Sequence, residues 1–259
     1  MSIKSFNERE RAGWLRTGGY NVSFPHTEAG LEQDEEWFMV SDGKENRKIR
    51  LHDYEAIFEI PSLYEEVVYK RLKCQSPDVV CGMLAEELGK NRKNGGLRVM
   101  DFGAGNGIVG ECVKETVDCE TLVGIDIILE AREAAERDHP GIYDDYYVMD
   151  LNSMSTKEKE KLAKHKFNTL VTVAALGFDD IPTAAFINAF NLLENKGWVA
   201  FNIKEDFLSK QDDTGFKELI DNMTNESMEL LNTKRYCHRL SINGAPLYYD
   251  AIVGRKICS

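Results

Sequence analysis

The stretch LRVMDFGAGNG at 97–107 constrains the fold of this chain more than any other. An apolar run closes on Asp101 and Phe102, and glycines then alternate at 103, 105 and 107. After them Ile108, Val109, Cys112 and Val113 recur at the spacing of one helix face. A strand that turns through glycines into a helix opens a nucleotide-binding βαβ unit. Without side chains the turn can close on a ligand at the helix N-terminus, where unpaired N–H groups point outward.

The pattern then repeats. Residues 121–126 form a short apolar run ending in Asp126, 19 positions after Gly107, and residues 144–152 form another carrying Asp150. Residues 129–138 read as the helix between them. Ser155 with Glu158 is a capping box ahead of a Lys/Glu-rich surface helix. Residues 167–175 read as a fourth strand. Asp180 and Pro182 start the next helix, with Ala185, Phe186, Ala189, Phe190 and Leu193 on its apolar face. A fifth strand spans 198–203, and a helix around Phe216, Leu219, Ile220 and Met223 follows. The chain closes with extended runs at 236–242 and 247–253 joined through Asn243-Gly244, a strong hairpin signal.

Two frames compete for the glycine turn. A dinucleotide fingerprint needs Gly-x-Gly-x-x-Gly directly after the strand. Read from Gly103, its sixth position is Ile108; read from Gly105, it is completed by Gly107 and Gly110 but begins inside the turn. The pattern that fits without displacement is Asp101-x-Gly103-x-Gly105-x-Gly107. It resembles motif I of the class I S-adenosylmethionine-dependent methyltransferases, and Asp126 and Asp150 stand where that family carries its next two acids. The resemblance covers roughly residues 95–256. It implies an α/β fold: a Rossmann-like sheet of mostly parallel strands with a C-terminal antiparallel hairpin, here preceded by an N-terminal helical extension. The expected organisation is an extension over 1–94, with a hairpin arm and a helical lid, and an S-adenosylmethionine-binding domain over 95–259.

The roles implied by the resemblance follow position by position. The loop Gly103, Ala104, Gly105, Gly107 runs beside the methionine moiety of the cofactor, with Asp101 supporting its amino group. Asp126 binds both ribose hydroxyls, since a carboxylate offers two acceptor oxygens to a diol, and Ile127 packs on the adenine. Asp150 accepts from the adenine amine, and the Leu151 N–H reaches the ring. Ala174 and Ala175 lie near the sulfonium and the methyl acceptor. The fourth-strand loop reads AALGFDDIP at 174–182 and lacks the Asn/Asp-Pro-Pro-Tyr of amide and base methylases, which disfavours those acceptors. His52 and Asp179 are the catalytic candidates, His52 as a base; Asp179 and Asp180 could be acceptor ligands, but an acid just before a helix is more often its cap.

The amino-terminal part is less explicit. Residues 35–51 suggest a β-hairpin with a long turn, and Trp14 and Trp37 could dock it on the main body; alternatively Trp14 belongs to a segment that orders only over a bound substrate. From 53 to 88 the pattern is helical and aromatic, with Pro61-Ser62 separating two helices and Ser62 available as a cap. Tyr54, Phe58, Tyr64 and Tyr69 are spaced so that they do not share one helix face. Ser76-Pro77-Asp78 opens a helix that buries Val79, Val80, Met83, Leu84 and Leu88, and 91–96 is a turn-rich linker.

The net charge of −12 repels a polyphosphate backbone over most of the surface, which argues against nucleic acid as the main partner. No apolar run reaches membrane-spanning length and the N-terminus carries no signal-like core, so a cytoplasmic location is expected. Six cysteines lack metal spacing, and no metal is expected; the pairs Cys74/Cys81 and Cys112/Cys119, each seven apart, suggest thiols buried on helix faces. Elimination leaves a small-molecule methyl acceptor as the leading expectation and a protein side chain next. The alternatives are a non-catalytic cofactor-binding module and an NAD-dependent oxidoreductase using the Gly105 frame.

Overall fold

A computed structural model describes residues 15–17, 19–25, 31–90, 96–178, 180–209 and 211–257. Its centre is a seven-stranded sheet. In chain order its strands are β5 (Leu97–Phe102), β6 (Cys119–Asp126), β7 (Asp145–Val148), β8 (Thr169–Thr172), β9 (Trp198–Lys204), β10 (Met228–Leu240) and β11 (Pro246–Lys256). The spatial order is β10-β11-β9-β8-β5-β6-β7. β11 pairs antiparallel with both β9 and β10, so the terminal hairpin contributes one reversed strand, wedged between two that share the common direction. β10 begins well before the run read from sequence, because residues 229–235 are exposed or half-buried and form no apolar block, whereas β11 matches its run closely.

The sheet buries both faces, as parallel sheets must. Along β5, Leu97 and Val99 enter one core layer with Val80, Leu84, Val109 and Val113. Met100 and Phe102 enter the opposite layer with Phe186, Phe190 and Ile220. Connecting helices supply these layers: Ser76–Lys90 and Ile108–Thr116 on the first, Thr183–Asn191 and Phe216–Glu226 on the second. Leu129–Asp138 and Thr156–Ala163 complete the crossovers, and Ser155 and Glu158 form the expected capping box.

A smaller antiparallel sheet precedes it: β1 (Leu15–Thr17), β2 (Tyr20–Ser23), β3 (Trp37–Ser41) and β4 (Asn46–Arg50), paired in that order. The hairpin expected at 35–51 is β3–β4. Docking falls to its other face, however. Phe38, Val40 and Ile49 are buried with Leu63, Val67 and Leu72, whereas Trp37 is half-buried with the Lys48 ammonium 4.2 Å from its ring. Trp14 lies outside the described residues. After β4 come the short helix α1 (Tyr54–Phe58) and a π-helix, Glu65–Arg71. They are separated at Pro61-Ser62 as expected, but Ser62 turns with a positive φ of 55° and the π-helix has no side-chain cap.

Two cysteine expectations fail. Cys74 follows the π-helix and Cys119 opens β6, so neither seven-residue pair shares a helix. Cys74 and Cys81 are buried thiols, while Cys112, Cys119 and Cys237 are half-exposed.

Polar bonds tie the small sheet to the terminal hairpin. The Arg239 guanidinium meets Glu36 at 2.7 Å with both side chains almost wholly buried, Ile242 N–H donates to the same carboxylate at 2.7 Å, and Gln33 donates to the Tyr249 hydroxyl at 2.8 Å.

Candidate active site

The carboxyl ends of β5 and β8 mark the point where the strand order reverses, and ligands of open α/β sheets sit outside that crevice. A cavity of about 410 Å³ opens there, within the range of ~300–1,000 Å³ usual for small-molecule sites. One wall comes from the sheet: Gly103, Gly105, Asp126, Ile127, Asp150, Leu151 and Ala174 all line it. Ile127 is 60% exposed at the mouth, an apolar side chain presented to whatever enters.

Three sequence-predicted residues lie behind this wall instead of in it: Asp101, Ala104 and Gly107. Asp101 is fully buried beneath the turn. Its Oδ2 accepts from the Tyr143 hydroxyl at 2.7 Å, and its Oδ1 has no partner among the described residues. Burial pushes its carboxyl up to about 7, with the Tyr143 hydrogen bond pulling it down and the nearby Asp126 charge adding to the rise. Gly107, at φ 97°, starts the following helix and faces His139 and Ile142.

The turn itself is set by backbone demands. Gly103 adopts φ 76°, and a Cβ there would sit 2.7 Å from the Ala175 Cβ. Asp126 holds the turn in place, accepting from Gly105 N–H at Oδ2 (2.9 Å) and from Ile127 N–H at Oδ1 (2.8 Å). Burial raises its carboxyl above the ordinary range although these N–H donors oppose the rise. Tyr146 donates to the Gly105 carbonyl at 2.9 Å from the other side. Gly110, the last glycine of the alternative dinucleotide frame, has a different use. A Cβ there would lie 2.8 Å from the Tyr143 ring, so this glycine makes room for the tyrosine that holds Asp101.

The opposite wall comes from the segment after β4. Tyr54, Phe58 and Tyr64 line the cavity; Tyr69 packs edge-on against Tyr64 at 5.8 Å and does not reach it. Residue spacing excluded a common face for the four, and the fold selects these three. Phe58 also packs on Ala131 and Ala134 of the helix after β6, which seats α1 over the β6 side of the crevice. Glu65 of the π-helix fastens the segment further, accepting from Asn106 of the glycine turn at 3.1 Å and lying 2.9 Å from His139.

His52 lines the cavity, with Nδ1 3.2 Å from Asp180 Oδ2, a polar contact whose geometry falls short of a hydrogen bond. The Tyr54 hydroxyl reaches the same oxygen at 3.4 Å. Asp180 therefore does not cap the next helix: that helix begins at Thr183 after Pro182, without a side-chain cap. Asp179 lies outside the described residues. The pairing of His52 with Asp180 was not legible in the sequence, since 128 positions separate them (180 − 52) and neither belongs to a motif.

No protein-family model matches this chain, and no curated protein matches it. Its structure does have counterparts. The N-methyltransferase NodS from Bradyrhizobium japonicum WM9, solved with S-adenosyl-L-homocysteine, superposes with a TM-score of 0.54 at 14% identity, over 80% of this chain and 97% of its own. The plantazolicin methyltransferase BpumL, solved with S-adenosyl-homocysteine and a triazolic desmethylPZN analog, gives 0.54 at 15% identity over 79% and 95%. Thermoplasma acidophilum 1320 gives 0.50 at 15% identity over 80% and 97%. The fold is that of the class I methyltransferases, mostly parallel with one reversed strand beside the last parallel one.

Proposed function

We propose that this protein transfers a methyl group from S-adenosylmethionine to a small-molecule acceptor. The observation that carries the reading is the joint position of the Gly103–Gly105 turn, Asp126 and Asp150 along one wall of a single cavity at the switch point of this fold. The residues suit the cofactor. Gly103 leaves bare backbone where a side chain would collide, and Asp126 Oδ2 spends one lone pair on Gly105 and keeps another for a ribose hydroxyl. Asp150 is braced by Asn152 N–H (2.7 Å) and the Ser153 hydroxyl (2.8 Å), which fixes its oxygens at the cavity edge. The unpartnered Asp101 Oδ1 is a buried acceptor beneath the turn, placed to favour a cationic amino group nearby.

The bound cofactor supplies an activated methyl on a cationic sulfur. The chain's task is then positional. Ile127 and Leu151 hold an aromatic ring at the cavity edge, and Ala174 and Ala175 keep the centre narrow. Tyr54, Phe58 and Tyr64 cover it and exclude water, so that an acceptor is held in line. His52 is the base available to an acceptor that must lose a proton. We assign the segment that carries these aromatics the part of a lid over the 95–259 domain. The acidic surface and the aromatic-walled cavity support a small acceptor over a nucleic acid.

Calorimetric titration with S-adenosylmethionine, S-adenosylhomocysteine and NAD tests the reading. Micromolar binding of the first two, absent from Asp126→Ala, is expected; binding of NAD alone, or of none, would refute it.

A further inference from the structure

The far side of the cavity carries chemistry that the cofactor residues do not use. Beyond the acids assigned to the cofactor, Asp126 and Asp150, three more line the space, Asp53, Glu55 and Asp180, and among the described residues no lysine or arginine does. The Arg239 guanidinium lines an adjoining space of about 30 Å³ and is bound to Glu36 at 2.7 Å. Such a cavity repels a carboxylate or phosphate acceptor and favours a cation.

The aromatic wall adds a second, independent preference. Tyr54 and Phe58 stack with centroids 6.0 Å apart, and Tyr64 stands edge-on to Phe58 at 5.2 Å. Ring faces attract ammonium groups, most strongly where water is excluded. Asp180 closes the corner. Its Oδ2 takes the His52 and Tyr54 contacts, and its Oδ1 has no hydrogen bond among the described residues. Burial holds the Tyr54 hydroxyl well above its ordinary pKa, with the Asp180 charge adding, so it stays a neutral donor.

Resting on the methyltransferase reading, we propose that the acceptor is a small amine, held as its ammonium between the Asp180 carboxylate and the Tyr54, Phe58 and Tyr64 rings. An ammonium has no lone pair until a proton leaves. With Nδ1 turned to Asp180, the other nitrogen of His52 is the one left to accept it. One N–H bond breaks, one Nε2–H bond forms, and the electron pair stays on the acceptor nitrogen as the nucleophile.

The test uses the full-length protein saturated with S-adenosylhomocysteine and three probes of one skeleton: 2-phenylethylamine, 2-phenylethanol and phenylacetate. Calorimetry should show the amine binding at least about tenfold more tightly than the alcohol, a difference of about 1.4 kcal/mol, and no binding of phenylacetate. Asp180→Asn should remove that preference while S-adenosylhomocysteine affinity, which also reports folding, stays unchanged. His52→Gln should keep amine affinity within about threefold, since Asp180 and the rings hold the ammonium. If S-adenosylhomocysteine binds but the amine does not, or the alcohol or phenylacetate binds as well, the amine assignment is overturned and the methyltransferase reading stands. A tenfold loss of amine affinity in His52→Gln would overturn the division of roles between His52 and Asp180. If S-adenosylhomocysteine does not bind, both readings fall together.

Discussion

Asn202 Oδ1 accepts the backbone N–H of Ala174 at 2.6 Å, and this bond fixes the floor of the cavity to the neighbouring strand. Ala174 needs such support because it adopts φ 56°, a left-handed conformation that a Cβ disfavours. Asn202 is fully buried on β9, and its amide donates to the Ser76 hydroxyl at 3.1 Å and the Tyr236 hydroxyl at 2.7 Å. Ser76 in turn lies 2.6 Å from His238 Nδ1. Burial holds His238 well below its ordinary pKa, so it is a neutral member of the network.

Asn202→Ala is expected to destabilise the fold by about 2–4 kcal/mol, because it unpairs the buried Ala174 N–H and takes one donor from each of the Ser76 and Tyr236 hydroxyls, which keep only their bond to each other and that of Ser76 to His238. Urea unfolding measures the loss. The same variant should weaken S-adenosylhomocysteine binding by releasing the strand-four turn, and Ala174→Gly in the Asn202→Ala background should recover part of the binding. Full affinity in Asn202→Ala would mean that the turn holds itself.

The Glu36–Arg239 pair joins the small sheet to the terminal hairpin from inside. Removing one partner leaves a charge buried without its counterion, so Arg239→Met should cost about 3–5 kcal/mol. Replacing both, as Glu36→Leu with Arg239→Met, should recover most of that loss, because two apolar side chains bury without a desolvation penalty. The comparison is made on urea-unfolding free energies. Equal stability of the single and double variants would show that the ion pair itself does not couple the two parts.

Asp101 makes stability fall as pH rises. Its carboxyl is raised to about 7 in the fold, chiefly by burial, whereas an unfolded aspartate ionises near 3.9. Between those values the folded protein keeps a proton that the unfolded chain has released. This contribution to stability is therefore lost between about pH 4 and 7 and is flat above. From pH 5 to pH 8 the difference is on the order of 2–3 kcal/mol. Asp126, raised in the same direction, adds its own share. Thermal unfolding at the two pH values, in wild type and Asp101→Asn, isolates the Asp101 part. The variant should lose less stability on going to pH 8, and matching profiles would place Asp101 as ordinarily ionised.

The sequence by itself determined the order of strands and helices from residue 97 onward, the glycine turn and the acids that end β6 and follow β7. Each of these is a local matter: hydrophobic period, turn chemistry, or a residue a fixed number of positions past a glycine. It also marked the terminal hairpin through Asn243-Gly244, but not that β11 would slide between β9 and β10, which depends on strand pairing across the whole sheet. Only tertiary structure decided the wall that faces the glycine turn. His52, Tyr54, Phe58 and Tyr64 come from the segment before the sheet, and Asp180 from the turn after β8. No spacing rule relates them, because a cavity wall is assembled by packing over long chain separations. The burial of Asp101 behind the turn, with Tyr143 on one oxygen and no partner among the described residues on the other, was likewise settled by packing: the motif names the residue, and the fold sets where its charge is felt.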